Sequence, residues 1–176
     1  HLFESGLPSV YEDGVQGTAL AVRHLVAKGH TRIGLWISQA PAIWVHQRHD
    51  GYLKALREQG IEPDERLVLW TPYTPASVNM QQTHVEALQT YLERQRPTAL
   101  VIASSGQHTR TLGDWLKKSG KRIPEDLSVI LLDQAYDEYA RFLHRRPTVV
   151  NLPLVEIGRT LARLAREVRK GKTQGV

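Results

Sequence analysis

Apolar positions along this chain follow two patterns that alternate from one end to the other. One pattern is the short unbroken apolar run, which is typical of a strand covered on both faces of a parallel sheet. The runs predict four buried strands, at Arg32–Ile37, Glu65–Trp70, Thr98–Ala103 and Leu127–Leu132. The pair Val149–Val150 is long enough only for a short further strand.

The second pattern is the three-four spacing of apolar residues on one side of a helix, and it fills the stretches between the runs. Glycines stand where several of these stretches end, as expected for helix C-caps: Gly29, Gly60 and Gly120. The predicted helices are Val15–Ala27, His46–Gln59, Ser77–Arg94, Gln107–Ser119 and a last one that opens at Pro153 and ends at Gly171.

Prolines and polar residues separate these elements. They predict loops at Ser38–Trp44, Thr71–Pro75 and the turn Ser104–Gly106, and an irregular or weakly helical stretch over 134–146. Pro8–Tyr11 is either a short edge strand or an extended lead-in. Strands that alternate with helices are typical of α/β folds with right-handed crossovers. We therefore expect an α/β fold with a three-layer, doubly wound, mostly parallel sheet.

Composition narrows the class of protein. The 176 residues are 41% hydrophobic, which suits one compact domain with a core. The absence of cysteine excludes disulfides and thiolate zinc sites. No apolar run approaches the roughly 18 residues of a membrane span, and the first residues lack the basic and apolar regions of a signal peptide. Because the chain does not begin with Met, we expect a longer parent protein.

The net charge of +5 comes from basic residues that are dispersed, except on the last predicted helix. That helix and its end carry Arg159, Arg163, Arg166, Arg169, Lys170 and Lys172. Every surface helix needs a polar side, so this cluster is either a solvated face or a contact for an anionic partner.

Residues that could bind a ligand follow the predicted strands. In an open α/β sheet, ligands bind beyond the carboxyl ends of the strands. This rule nominates four groups in chain order: Ser38, Gln39, Trp44, His46 and Arg48; Trp70, Thr71 and Tyr73; Ser104, Ser105 and Gln107; Asp133, Gln134 and Tyr136.

The chemistry of this set suits a polyol or sugar. Arg48 and Asp133 offer bidentate donors and acceptors for hydroxyl groups, and Trp44, Trp70 or Tyr73 offers a ring for a C–H face. Structural roles remain open. The alternative role for Arg48 is a bond to a neighbouring carbonyl or to Asp50, and that for Trp70 is packing in the core. The alternative for Asp133 and for Ser104–Ser105 is a helix cap.

Catalytic and metal-binding patterns are poor. The chain has neither a Gly-x-Ser-x-Gly nucleophile elbow nor a Walker phosphate loop. His46 and His49 lie three apart, but no third ligand has a matching spacing. Asp137–Glu138 is better interpreted as a surface pair than as an acid/base couple. We expect no enzyme activity, no cofactor and no metal.

Several short motifs occur in a fixed order over nearly the whole chain, and together they resemble the lactose-repressor/galactose-repressor (LacI/GalR) family of regulators. Each motif is weak alone, but the order is specific. The matching segments are Asp13–Leu25, Gly29–Ile33, Arg48–Tyr52 with Ala55–Leu56, Pro97–Ala99, Gly120 with Ile123–Val129, Asp133, Pro147–Thr148, and Pro153 with Ile157–Gly158.

The resemblance implies a periplasmic-binding-protein-like effector domain with two lobes and a ligand in the cleft. It also implies that the chain starts at the second lobe. Residues 1–150 would then form that C-terminal lobe, and residues 151–176 would return toward an absent N-terminal lobe. The apolar stripe of the last helix would lack part of its cover, which favours a homodimer.

The resemblance also assigns ligand-binding positions. Arg48 and Asp133 match family ligand contacts, and Trp70 lies near a position where an aromatic ring stacks on the ligand. Ser104 and Ser105 depart from the family, which normally has Asn-Asp there. Trp44 occupies a position that is often small and polar.

The function that the resemblance implies is sensing of a small molecule, sugar-like or a related metabolite, by a cytoplasmic transcription regulator. Ligand binding would act through lobe closure. DNA would be a partner only through a head domain absent from this chain, and no membrane would be involved. The alternative is a solute-binding protein of a sugar transport system.

Overall fold

The computed structural model describes residues 9–72, 81–103, 106–132 and 137–170. Its helices are α1 Gly14–Ala27, α2 Ile43–Glu58, α3 Gln81–Gln95, α4 Gly106–Ser119, α5 Asp137–Leu143 and α6 Leu154–Arg169. Its strands are β1 Ile33–Gln39, β2 Val68–Pro72, β3 Ala99–Ile102, β4 Ser128–Leu132 and β5 Thr148–Val150. The chain divides into two compact units, Gly14–Asn151 and a smaller one made of His1–Asp13 and Leu152–Val176.

The larger unit is built on one parallel five-stranded sheet in the order β2-β1-β3-β4-β5. Leu35 pairs with Val68 on one side of β1, and Ile33 pairs with Ala99 on the other. The order reverses direction between β1 and β3, so the two crossovers leave the sheet on opposite faces. Such a reversal is the topological switch point of a doubly wound sheet. The predicted α/β fold class is confirmed.

Side chains alternate across the sheet and form two cores. In β3, Ala99 and Val101 face the first core with α1 and α2, whereas Leu100 and Ile102 face the second core with α3, α4 and α5. The successive buried residues of β3 thus explain its unbroken apolar run.

The loop predicted over Ser38–Trp44 is too long. Parallel pairing continues through Ser38 and Gln39, which pair with Thr71 and Pro72. Helix α2 starts at Ile43, so Trp44 is helical rather than in a loop. Pro41 precedes the extended N-cap Ala42, where a missing N–H removes no helix hydrogen bond. The same pairing extends β2 into the predicted loop at Thr71–Pro75.

Strand β2 begins at Val68, three residues after the start that the sequence predicts. Glu65–Leu67 forms a 3₁₀ turn, because the Asp64 carboxylate accepts a hydrogen bond from the Arg66 backbone N–H at 3.0 Å. Such a side-chain cap competes with strand pairing. Gly106, predicted as a turn residue, is the first residue of α4.

The irregular or weakly helical stretch over 134–146 contains a clear helix, α5. Its residues Tyr139 and Leu143 lie one turn apart and are both buried in the second core. The short strand at Val149–Val150 is confirmed as β5, which pairs with β4.

Helix α6, in the smaller unit, confirms the helix predicted after Pro153. Its apolar stripe is Leu154, Ile157, Leu161, Leu164 and Val168. No residue of α6 is buried. Among the described helices, none is long and apolar enough to cross a membrane.

Candidate functional site

Arg48 lies at the switch point between β1 and β3. It is the sixth residue of α2, and it is only 6% exposed. Its Nη1 donates a hydrogen bond of 3.0 Å to the carbonyl oxygen of Ala103, the residue that follows β3. This bond connects the helix after β1 to the carboxyl end of β3. Arg48 therefore binds a backbone carbonyl, which is one of the structural roles that the sequence left open.

Trp44 lies one helical turn before Arg48, and the two side chains contact each other. The guanidinium carbon of Arg48 is 4.8 Å from the centre of the indole ring. A cation–π contact of this kind is worth roughly 0.5–2 kcal/mol, and it fixes where the guanidinium can point. Trp44 also packs partly against the first core. Asp50, the other partner considered for Arg48, is exposed and forms no ion pair with any described residue.

A concavity of about 420 Å³ lies at the carboxyl ends of β1 and β2. Its lining residues are Gln39, Ala40, Pro41, Val45, His46 and Trp70. A volume in this range is typical of a small-molecule site.

Trp70 packs against the core, as one of the two predictions for it states, while its role as a ligand contact stays a prediction. One part of it packs against the first core, and another part lines the concavity. Its ring centre is 5.3 Å from that of His49, whose Nε2 is 3.4 Å from a carboxylate oxygen of Glu65. Trp70 and His46 line the same concavity at the carboxyl ends of β1 and β2, while Arg48 and Trp44 contact each other at the neighbouring switch point.

Six of the predicted site residues lie outside the described residues. They are Ser104, Ser105 and Asp133, together with Tyr73, Gln134 and Tyr136. Their ligand-binding roles stay predictions. Ser104 directly follows Ala103, whose carbonyl oxygen accepts the hydrogen bond from Arg48.

A buried polar network on the other face of the sheet was missed by the sequence reasoning. Trp36 Nε1 donates a hydrogen bond of 3.2 Å to Thr71 Oγ1, and the same oxygen lies 2.9 Å from His108 Nε2. The rings of Trp36 and His108 meet edge to face, with centres 4.5 Å apart. This network connects β1, β2 and the first turn of α4.

His84, in the first turn of α3, extends the network. It is 1% exposed, and its ring stacks on that of His108 with the centres 5.8 Å apart. Neither ring nitrogen of His84 has a hydrogen-bond partner among the described residues. Burial lowers the pKa of His84, because the low-polarity surroundings disfavour the charged imidazolium. The sequence offers no signal for this pair, because the two histidines lie 24 residues apart and follow β2 and β3, which β1 separates in the sheet.

Metal-binding groups are scarce in the part of the chain that the structure describes. No three His, Asp or Glu side chains there are grouped so that they could hold a metal ion.

The chain has known relatives in both sequence and structure. The family pattern described as "Periplasmic binding protein-like domain" matches residues 22–174. The HTH-type transcriptional regulator CelR of Thermobifida fusca is 30% identical over 98% of this chain and 53% of its own length. The HTH-type transcriptional repressor CytR of Escherichia coli is 28% identical over 98% of this chain and 48% of its own.

A similar solved structure is also that of a transcriptional regulator. The structure described as "transcriptional regulator CelR-cellobiose complex" is 28% identical, covers 98% of this chain and 50% of its own, and has a TM-score of 0.78. The chain thus spans about half the length of the curated relatives that it matches. This chain belongs to the periplasmic-binding-protein-like domain family, and the relatives named above are HTH-type transcriptional regulators.

Proposed function

We propose that this chain is the ligand-sensing part of a transcription regulator and that it binds a sugar-like effector at the carboxyl ends of β1, β2 and β3. The observation that carries the proposal is the buried Arg48 at the switch point, bonded to Ala103 and stacked on Trp44. A buried cation is costly unless it is bonded, and ligands of doubly wound sheets bind at this point.

The concavity beside Trp70 supports a ligand with both hydroxyl and C–H faces. A half-buried indole at its wall offers a flat apolar surface to a sugar ring. The relative CelR has been solved with cellobiose, so a neutral carbohydrate is the ligand class that we propose. Within this proposal, Asp133 accepts hydrogen bonds from ligand hydroxyls, and Ser104 and Ser105 supply short polar contacts where the family has longer ones.

The whole protein's action is part of the same proposal. The named relatives are transcription regulators, which favours a regulator over a transport protein. Residues 1–150 would act as one lobe and residues 151–176 as a return to another. Effector binding would favour one of two arrangements of a homodimer, and a separate head would contact DNA. We expect no catalytic turnover.

The test is a thermal-shift and calorimetric panel of mono- and disaccharides, cellobiose among them, with sugar phosphates and purines for comparison. We expect a carbohydrate to stabilise the chain and Arg48→Ala to weaken its binding at least about tenfold, the loss expected for one charge-assisted hydrogen bond. Arg57→Ala changes an exposed arginine on the same helix and should bind normally. Full affinity in Arg48→Ala would disprove the site, and binding only to purines or phosphates would disprove the ligand class.

A further inference from the structure

A second concavity lies at the opposite edge of the sheet, where β3 and β4 begin. It has a volume of about 540 Å³ and lies between the C-terminal turns of α3 and α4. Pro97 and Leu127, which precede β3 and β4, form part of its wall. It is separate from the proposed effector site, because that site is at the carboxyl ends of the strands.

The floor of this groove is apolar and includes an aromatic face. Leu92 of α3 and Trp115 of α4 pack against the second core, yet both are only half-buried. An indole that is packed on one side and open on the other offers a flat surface on which a planar ring can stack.

The rim of the groove carries more positive than negative charge. Three cations, Arg96, Lys118 and Lys121, face two carboxylates, Glu93 and Asp126, which leaves one net positive charge.

Lys121 and Asp126 are already paired with each other. The Asp126 carboxylate accepts from the Arg122 backbone N–H at 2.9 Å and from Lys121 Nζ at 3.2 Å. These two donors hold the pKa of Asp126 below its usual value, so it stays ionised.

Arg96 and Lys118 have no carboxylate partner among the described residues. Arg96 has a left-handed backbone with φ of 46°, and its Nε donates a long bond of 3.4 Å to the backbone carbonyl of Glu93. Lys118 Nζ donates to the side-chain amide oxygen of Gln82 at 3.2 Å. Both contacts are with neutral oxygens, so neither positive charge is neutralised.

We propose that this groove binds a small organic monoanion, an aromatic carboxylate, with its ring on Trp115 and its carboxylate between Arg96 and Lys118. A guanidinium recognises a carboxylate through paired hydrogen bonds, and the volume is within the range of small-molecule sites. The single net charge favours a monoanion, because Glu93 and Asp126 would repel a more highly charged ligand.

The test compares naphthoate with naphthamide, which has the same ring and no charge, by calorimetry on the whole chain. We expect naphthoate to bind about tenfold more tightly, as expected for one charge-assisted contact. Arg96→Gln and Lys118→Gln should each remove most of that difference and leave naphthamide binding unchanged. Trp115→Leu should weaken both ligands. Lys54→Gln, an exposed lysine on α2, is the matched control and should change neither.

Three results with these two probes would overturn the proposal. They are equal affinity for naphthoate and naphthamide, full naphthoate affinity in both Arg96→Gln and Lys118→Gln, and no binding of either probe. Loss of naphthoate binding in Arg48→Ala would also overturn it, since the anion would then be at the carboxyl edge of the sheet.

Discussion

At the scale of single residues, Arg48 connects the helix that follows β1 to the carboxyl end of β3. The position of Arg48 after the first strand predicts a ligand contact, and that role stays a prediction. Its partner, the carbonyl of Ala103, was not predictable, because a backbone oxygen has no signature in the sequence. The contact with Trp44 depended on α2 starting three residues earlier than predicted, which brought the two side chains onto one helical face.

His84 leads to a prediction about acid stability. Its pKa is lowered in the folded chain by burial, so the unfolded chain takes up a proton first as the pH falls. The contribution of neutral His84 to the free energy of unfolding is therefore fully present above about pH 6.5. It is lost as the pH falls below that value.

Replacing His84 with Phe should reduce this loss. Urea unfolding at pH 7.5 and pH 5.5 should show a smaller acid-induced decrease for His84→Phe than for the unchanged chain. His24→Phe, at an exposed position on α1, is the control for a general effect of losing a histidine. An identical decrease in the unchanged chain and in His84→Phe would contradict the account.

At the scale of elements, the packing of α1 on α2 depends on Gly51. A Cβ atom at this position would overlap the backbone of Val15 in α1. Gly51→Ala should therefore push the helices apart and lower the free energy of unfolding by about 1–3 kcal/mol. Gly17→Ala is the matched control, because a Cβ there meets nothing within 4 Å.

The two glycine variants should move in opposite directions. Alanine at Gly17 gains helix propensity and should raise the free energy of unfolding by up to about 1 kcal/mol. Urea unfolding of both variants measures the difference. If the Gly51→Ala chain is as stable as the Gly17→Ala chain, α1 and α2 do not pack as closely at Gly51 as the structure shows.

Elements defined by burial were predictable, and elements defined by local hydrogen bonds were not. The β3 and β4 runs are buried on both faces, so their apolar residues mark them almost to the residue. The 3₁₀ turn at Glu65–Leu67 arises from one Asp64 side chain that the apolar pattern does not register. Helix α5 is short, and only its contacts with the second core identify Tyr139 and Leu143 as inward-facing.

At the scale of the whole molecule, strand order decides where a ligand can bind. The order β2-β1-β3-β4-β5 puts the ends of β1 and β3 side by side, with their following helices on opposite faces. The alternation of elements predicted a doubly wound sheet, but the order of the strands came only from the structure. The order explains why Arg48, 55 residues before Ala103 in the chain, reaches it directly.

The central claim is that the effector binds at this edge of the sheet, and amide NMR of the labelled chain tests it most directly. The carbohydrate that gives the largest thermal shift should perturb the signals of Arg48, Ala103 and the Trp70 indole, and leave those of Leu92 and Trp115 at the other edge unchanged. Perturbations confined to Leu92 and Trp115, or none at Arg48 and Ala103 with saturating ligand, would contradict the account.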